Sequence, residues 1–166
     1  MASIKGIELK SIKYGNDKKE YFFQASIYLN NKKAGILYLL NNKNEIDYNW
    51  KNDEFYNKCL LLSEKYIIEN PIKISSLNSI DILINDLLEL NELEKEFKRV
   101  SKKGAKVLAF LKYNKRDTLE DDYDISKEDL LLSFNEWNEN IEKKVIKNYN
   151  PLEIKLYKDI SEFVVN

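Results

Sequence analysis

No histidine occurs among the 166 residues. That single absence removes Ser-His-Asp triads, Cys-His dyads, HExxH zinc chemistry and histidine proton shuttling. The one cysteine, Cys59, can form neither an internal disulfide nor a thiolate zinc site, and suits a reducing cytoplasm. The four glycines, Gly6, Gly15, Gly35 and Gly104, are too scattered for a Walker loop or a dinucleotide fingerprint. Neither sign of charge dominates. A formal net charge of −1 excludes a globally basic nucleic-acid binder and a globally acidic DNA mimic, so electrostatic recognition must come from local patches. No run approaches the roughly 18 apolar residues of a membrane span, and Met1 to Lys10 has no signal-peptide core, so a soluble cytoplasmic protein is expected. Only carboxylate, lysine or tyrosine chemistry survives, and neither a metal nor a cofactor is expected.

The strongest pattern is the stretch from Asn78 to Lys103. Ile80, Leu83, Leu87, Leu90, Leu93, Phe97 and Val100 recur at steps of three and four, which predicts one apolar side of a helix of about seven turns. Asn78 is a good N-cap and Asp81 sits in the first turn. Lys98, Arg99, Lys102 and Lys103 crowd the negative end of the dipole, and Gly104 stops the helix.

The first fifty residues read as strands. Ser3 to Tyr14 forms one, with Ile7 and Leu9 out of phase with Ile12 and Tyr14, which predicts a bulge. Tyr21 to Leu29 and Ala34 to Leu40 alternate about an Asn30-Asn31-Lys32 turn as a hairpin, and Ile46, Tyr48 and Trp50 mark a fourth strand. Asn52 caps a helix with Phe55, Cys59, Leu62 and Tyr66 as its stripe. Nothing basic can be placed beside Cys59 to make a thiolate, so it reads as a core residue. Val107 to Tyr113 is apolar on both faces, a strand expected to return to the N-terminal sheet. Leu130, Phe134, Trp137, Ile141 and Val145 read as the stripe of a third helix capped by Ser126. The tail from Leu152 to Val165 reads as a strand and then a short helix. The expected fold is a single α+β domain over 1–166. It has two layers, an antiparallel sheet made of an N-terminal meander of about four strands plus a later strand, packed against three main helices.

The hairpin Ala25-Ser26-Ile27-Tyr28-Leu29-Asn30-Asn31-Lys32-Lys33-Ala34-Gly35 resembles that of small, mostly uncharacterised proteins carried by phages, plasmids and conjugative elements of low-GC bacteria. Their strand pair reads close to Ile-Tyr-Ile-Asn-Gly-Lys-Lys-Val-Gly. They continue with a helix, a charged helix end similar to Glu92 to Lys103, and a strand. The chain departs from them at Leu40-Asn41-Asn42-Lys43-Asn44, where that family has a glycine-rich turn, so whatever that turn does is not carried over. The resemblance implies a mobile-element setting and, by analogy, an inhibitor of a host defence or host enzyme.

Charge reverses abruptly at Arg116-Asp117. Asp117, Glu120, Asp121, Asp122 and Asp124, with Tyr123 among them, could imitate a row of phosphates and enter a basic groove on a partner protein. Phe22 and Tyr28 fall on the strand face opposite the expected core and are candidate aromatic anchors. Lys98, Arg99, Lys102, Lys103, Lys106 and Lys112 would suit phosphate contacts. Together these features predict a non-catalytic protein that occupies the surface of another macromolecule. The expected role is a mobile-element or phage inhibitor of a bacterial defence nuclease or its guide complex, of the anti-CRISPR or anti-restriction type. Two alternatives compete with it. One is a nucleic-acid-binding accessory protein using the basic stretch 95–116. The other is a metal-dependent nuclease using Glu153-Ile154-Lys155, which lacks the preceding Pro-Asp of such enzymes.

Overall fold

The structure is a computed structural model, and it describes residues 1–15, 21–40, 46–70, 78–113 and 129–166. It is an α+β fold. The described elements are β1 (Ser3–Ile4), β2 (Ile7–Tyr14), β3 (Tyr21–Leu29), β4 (Lys32–Leu40), β5 (Ile46–Trp50), α1 (Asp53–Glu69), α2 (Ser79–Ser101), β6 (Val107–Lys112), β7 (Leu130–Phe134), α3 (Glu139–Tyr149), β8 (Glu153–Tyr157), a 3-10 turn (Ile160–Phe163) and β9 (Val164–Val165). The chain divides into two compact units. One comprises Met1–Pro71, Ser76–Glu92 and Phe163–Asn166, and the other Ile72–Ser75 and Leu93–Glu162.

The first unit holds a sheet of order β5-β4-β3-β2-β1-β9, antiparallel except where β9 pairs parallel with β1. What the sequence suggests is one strand from Ser3 to Tyr14 is two. Lys5 (φ 51°) and Gly6 (φ 75°) turn the chain so that Ile4 faces Ile7, the two-residue hairpin whose twist matches its strands. The expected bulge is present, with Ser11 at φ 55° where the β2–β3 register shifts between Lys10 and Lys13. The Asn30-Asn31 turn also forms, both residues at positive φ, and Leu29 faces Lys32. Ile7, Leu9, Phe23, Ala25, Ile27, Leu29 and Leu37 are all buried, so this alternation sets the core face.

The first half of α2 crosses that face. Tyr48 on β5 donates to Asp81 at 2.5 Å and Tyr14 on β2 donates to Glu92 at 3.1 Å. Three strand spacings span about 14 Å and eleven helical residues about 16 Å, so the helix runs across the strands. Its expected start holds as well: Asn78 accepts from the Asp81 amide at 2.9 Å and donates its own amide to the Asp81 carboxylate at 2.8 Å. Its end is a Schellman turn, with Gly104 at φ 94°, the Gly104 amide on Ser101 and the Ala105 amide on Val100. Helix α1 is capped by Asn52 and tied to α2 by Tyr66 donating to Asp86 at 2.8 Å and by a hydrogen bond between the Ser63 and Ser79 hydroxyls at 3.0 Å.

Cys59 lies in the α1 core as the sequence suggested. Burial pushes its thiol up to about 11, so almost no thiolate exists at neutral pH. Ellman's reagent at pH 8 should therefore label native protein only as fast as it opens, and label it at once in urea. Rapid stoichiometric labelling without denaturant would contradict this burial.

The second unit holds a separate three-stranded sheet of order β7-β6-β8. Val107–Lys112 therefore does not return to the N-terminal sheet; the later strand that joins that sheet is β9. Ala109 and Leu111 on one face of β6 form a core with Val145 of α3, closed by Leu130, Leu132, Phe134, Ile141, Ile154 and Leu156. Leu108 and Phe110 on the other face are buried too. The third helix is shorter than its stripe suggests, because Leu130 to Phe134 is strand. Leu130, Leu132 and Phe134 share one side of a strand, while Leu130 and Phe134, four residues apart, also share one side of a helix. Pairing decided the outcome, since each residue from Leu130 to Phe134 faces one of β6. Asp129 accepts from the Tyr113 amide at 3.0 Å and closes the β6–β7 pair, and Asn138 caps α3. Ser126 lies outside the described residues. The tail forms strand β8 and then the short 3-10 turn, as expected, with β9 added.

Candidate interaction surface

Because the alternation in β2 to β5 sends Leu9, Ile27 and Leu37 inward, it sends a second set of side chains outward. The register lays these out as three rows across the sheet: Glu8, Tyr28 and Lys33; Lys10, Ser26, Ile36 and Asn49; and Gln24, Tyr38 and Asp47. The bulge at Ala34 matters here. It inserts one residue between the pairs Ile27–Gly35 and Tyr28–Lys33, and so places Ile36 and Tyr38 on the outer side. Gly35 sits where a Cβ would meet the Asn49 carbonyl oxygen at 2.8 Å and Trp50 at 3.2 Å, so only glycine lets β5 approach at this register.

Within the outer face Lys10 is fixed from three sides. Its Nζ lies 2.9 Å from the Glu8 carboxylate, 3.4 Å from the Asn31 side-chain oxygen and 4.4 Å above the Tyr28 ring. A partly desolvated cation over a tyrosine contributes about 0.5–2 kcal/mol and holds the ring in one orientation. Tyr28, Ile36 and Tyr38 are half-buried by their neighbours and keep part of their surface open. Preset aromatic and aliphatic surface beside a held cation is what a protein interface uses as anchors, because little rotamer freedom is lost on docking.

Of the aromatic pair expected from the sequence, Tyr28 is on this outer face. Phe22 takes its place in the β3 backbone, and its side chain lies outside the described residues. The acidic run Asp117, Glu120, Asp121, Asp122, Tyr123 and Asp124 also lies outside the described residues.

The candidate basic residues from Lys98 to Lys112 are described and do not form one patch, while Lys115 and Arg116 lie outside the described residues. Lys98 is paired with Glu94 at 2.7 Å, and Arg99 grips Glu96 through two bonds of 2.7 and 2.5 Å that hold the Glu96 carboxyl below the usual carboxylate range. Lys102, Lys103 and Lys106 are exposed around the Gly104 turn. Lys112 ends β6, about 20 Å along the strand from Lys106, with its Nζ 5.0 Å from the Phe110 ring. Glu153 and Lys155 lie two apart on β8, both exposed, on a strand as the nuclease alternative requires. Among the described residues no three Cys, Asp or Glu side chains converge as metal ligands, and no helix is long and apolar enough to cross a membrane.

No protein-family model, curated protein or solved structure matches this chain. The fold and its surfaces are what bear on function. Sequence reasoning missed Lys10, Ile36 and Tyr38 as members of the outer face. The signal for Lys10 was its alternation with Leu9; for Ile36 and Tyr38 there was none, since a bulge one residue before Gly35 is set by pairing with β3 and β5.

Proposed function

We propose that the protein acts by occupying the surface of another macromolecule, and that its partner is a bacterial defence nuclease or its guide complex. The outer face of the first sheet carries this reading, because Tyr28, Ile36 and Tyr38 stand beside a lysine already held in place. The mobile-element resemblance of the β3–β4 hairpin supports the choice of partner. Inhibition then needs no turnover: a bound protein that covers a nuclease's substrate path blocks it stoichiometrically.

Tyr28→Ala with Tyr38→Ala tests this. Both side chains are part-exposed on one face of the sheet, so the melting temperature should move by only a few degrees. Immobilised wild-type protein should retain a nuclease or its guide complex from host extract, identified by mass spectrometry. Purified, that partner should lose DNA cleavage at a one-to-one ratio of wild-type protein. The double variant should bind it at least about tenfold more weakly. A partner that keeps cleaving when saturated, or that binds the double variant equally well, would overturn the reading.

A further inference from the structure

We infer that the second unit carries a separate docking groove, between the outer edge of β7 and α3, which takes an extended acidic segment of a partner protein as a fourth strand of the β7-β6-β8 sheet. Among the described residues β7 is an outer strand of that sheet. Outer strands usually carry charge or proline, which discourages pairing with foreign chains. The opposite edge, β8, follows this rule with Glu153 and Lys155, and of the two outer strands of the first sheet β5 carries Asp47 while β9 is only two residues long. The β7 sequence, Leu-Leu-Leu-Ser-Phe, has neither charge nor proline, and Leu131 is exposed.

A cleft of about 480 Å³ lies along this strand, lined by the consecutive residues Leu131, Leu132, Ser133 and Phe134. Successive strand residues point to opposite faces, so one cleft can touch four in a row only if it follows the strand's open edge. Its far wall is one stripe of α3: Ile141, Lys144, Val145, Asn148 and Tyr149, at helical steps of three and four. Such a groove offers main-chain hydrogen bonds along β7 and side-chain contacts against the helix, the two components of recognition by strand addition.

Charge selects the occupant. Among the described residues Lys144 is the one charged residue lining the cleft, set in otherwise apolar, hydroxyl and amide surface, so a carboxylate on the incoming strand is favoured there and an ammonium is repelled. The same lysine disfavours a second copy of this chain. Lys144 is the middle residue of α3, and two-fold pairing of β7 with β7 would set the two lysines against each other across the axis.

A fluorescein-labelled peptide of about seven residues, alternating Val with Thr around a central Asp, probes the groove in the full-length protein. Polarisation should show saturable binding, at least about tenfold weaker when the central Asp is Lys. Lys144→Glu, an exposed helix position that leaves the core intact, should reverse that preference. Binding should also slow hydrogen exchange of β7 amides, while Tyr28→Ala with Tyr38→Ala leaves peptide binding unchanged. The inference is overturned by an Asp peptide that fails to saturate, by an unchanged preference in Lys144→Glu, or by a β7-dependent dimer in sedimentation.

Discussion

Phe163→Ala should remove about 3–5 kcal/mol of stability, the usual range for deleting a fully buried aromatic ring. Phe163 is 0% exposed, although only three residues follow it and its neighbours Ser161, Glu162 and Val164 are exposed. It fastens β9 in place. Val164 and Val165 pair with Ser3 and Ile4, the Lys5 amide donates to the Val165 carbonyl at 2.7 Å, and Lys5 Nζ reaches the Asn166 carbonyl at 2.9 Å. A ring lost here leaves a cavity and loosens the strand that covers β1. Since domains of this size are stable by about 5–15 kcal/mol, the loss is a large fraction of the whole. The two tryptophans report separately, because Trp50 lies in the first unit and Trp137 in the second. In a Trp137→Phe background the urea midpoint seen by Trp50 should fall sharply, and the Lys5 amide should exchange faster. A loss under about 1 kcal/mol would show that the ring is not holding the terminus.

Asp81→Ala should cost about 2–4 kcal/mol, more than one exposed carboxylate ordinarily contributes. One side chain does three things at the start of α2. It accepts from the Tyr48 hydroxyl, it accepts from the Asn78 amide, and it places negative charge at the positive end of the helix dipole. Its removal leaves the Tyr48 hydroxyl without its acceptor in a part-buried site, which accounts for about 1–3 kcal/mol. Tyr48→Phe should cost less, because Asp81 keeps Asn78 and some solvent. The double variant should reveal coupling of about 1–2 kcal/mol; strict additivity would mean that the two side chains do not act together.

The same pair sets an alkaline limit. Burial, then the hydrogen bond to Asp81, then its charge raise the Tyr48 phenol well above its ordinary value of 10.0. The folded phenol keeps its proton while the unfolded one loses it, so the stability it contributes is whole below about pH 10 and drains away above that. Cys59, raised from 9.0 by burial, drains in the same direction from about pH 9. In a Cys59→Ala background, Tyr48→Phe should flatten the fall in urea midpoint between pH 9.5 and 11. An equally steep fall would place the alkaline loss elsewhere.

Local signals were legible wherever one residue type answers one backbone need. Asn78, Asp81 and Gly104 announced both ends of α2, Asn30-Asn31 announced the hairpin turn, and the phase change between Leu9 and Ile12 announced the bulge now seen at Ser11. The outer face was half legible. Alternation placed Tyr28 on it, whereas Ile36 and Tyr38 depended on the Ala34 bulge.

Alternation and helical spacing are properties of neighbours along the chain, and they determined by themselves the α+β class, the meander, the inward set of Ile7, Leu9 and Ile27, and the burial of Cys59. Partner choice is not such a property. That Val107–Lys112 pairs with Leu130–Phe134 and Glu153–Tyr157 in a sheet of its own, and that Val164–Val165 closes the first sheet beside Ser3–Ile4, was decided only in three dimensions. A strand's own residues specify which face is buried, but its open hydrogen-bonding edge is satisfied by whichever segment the rest of the fold brings alongside.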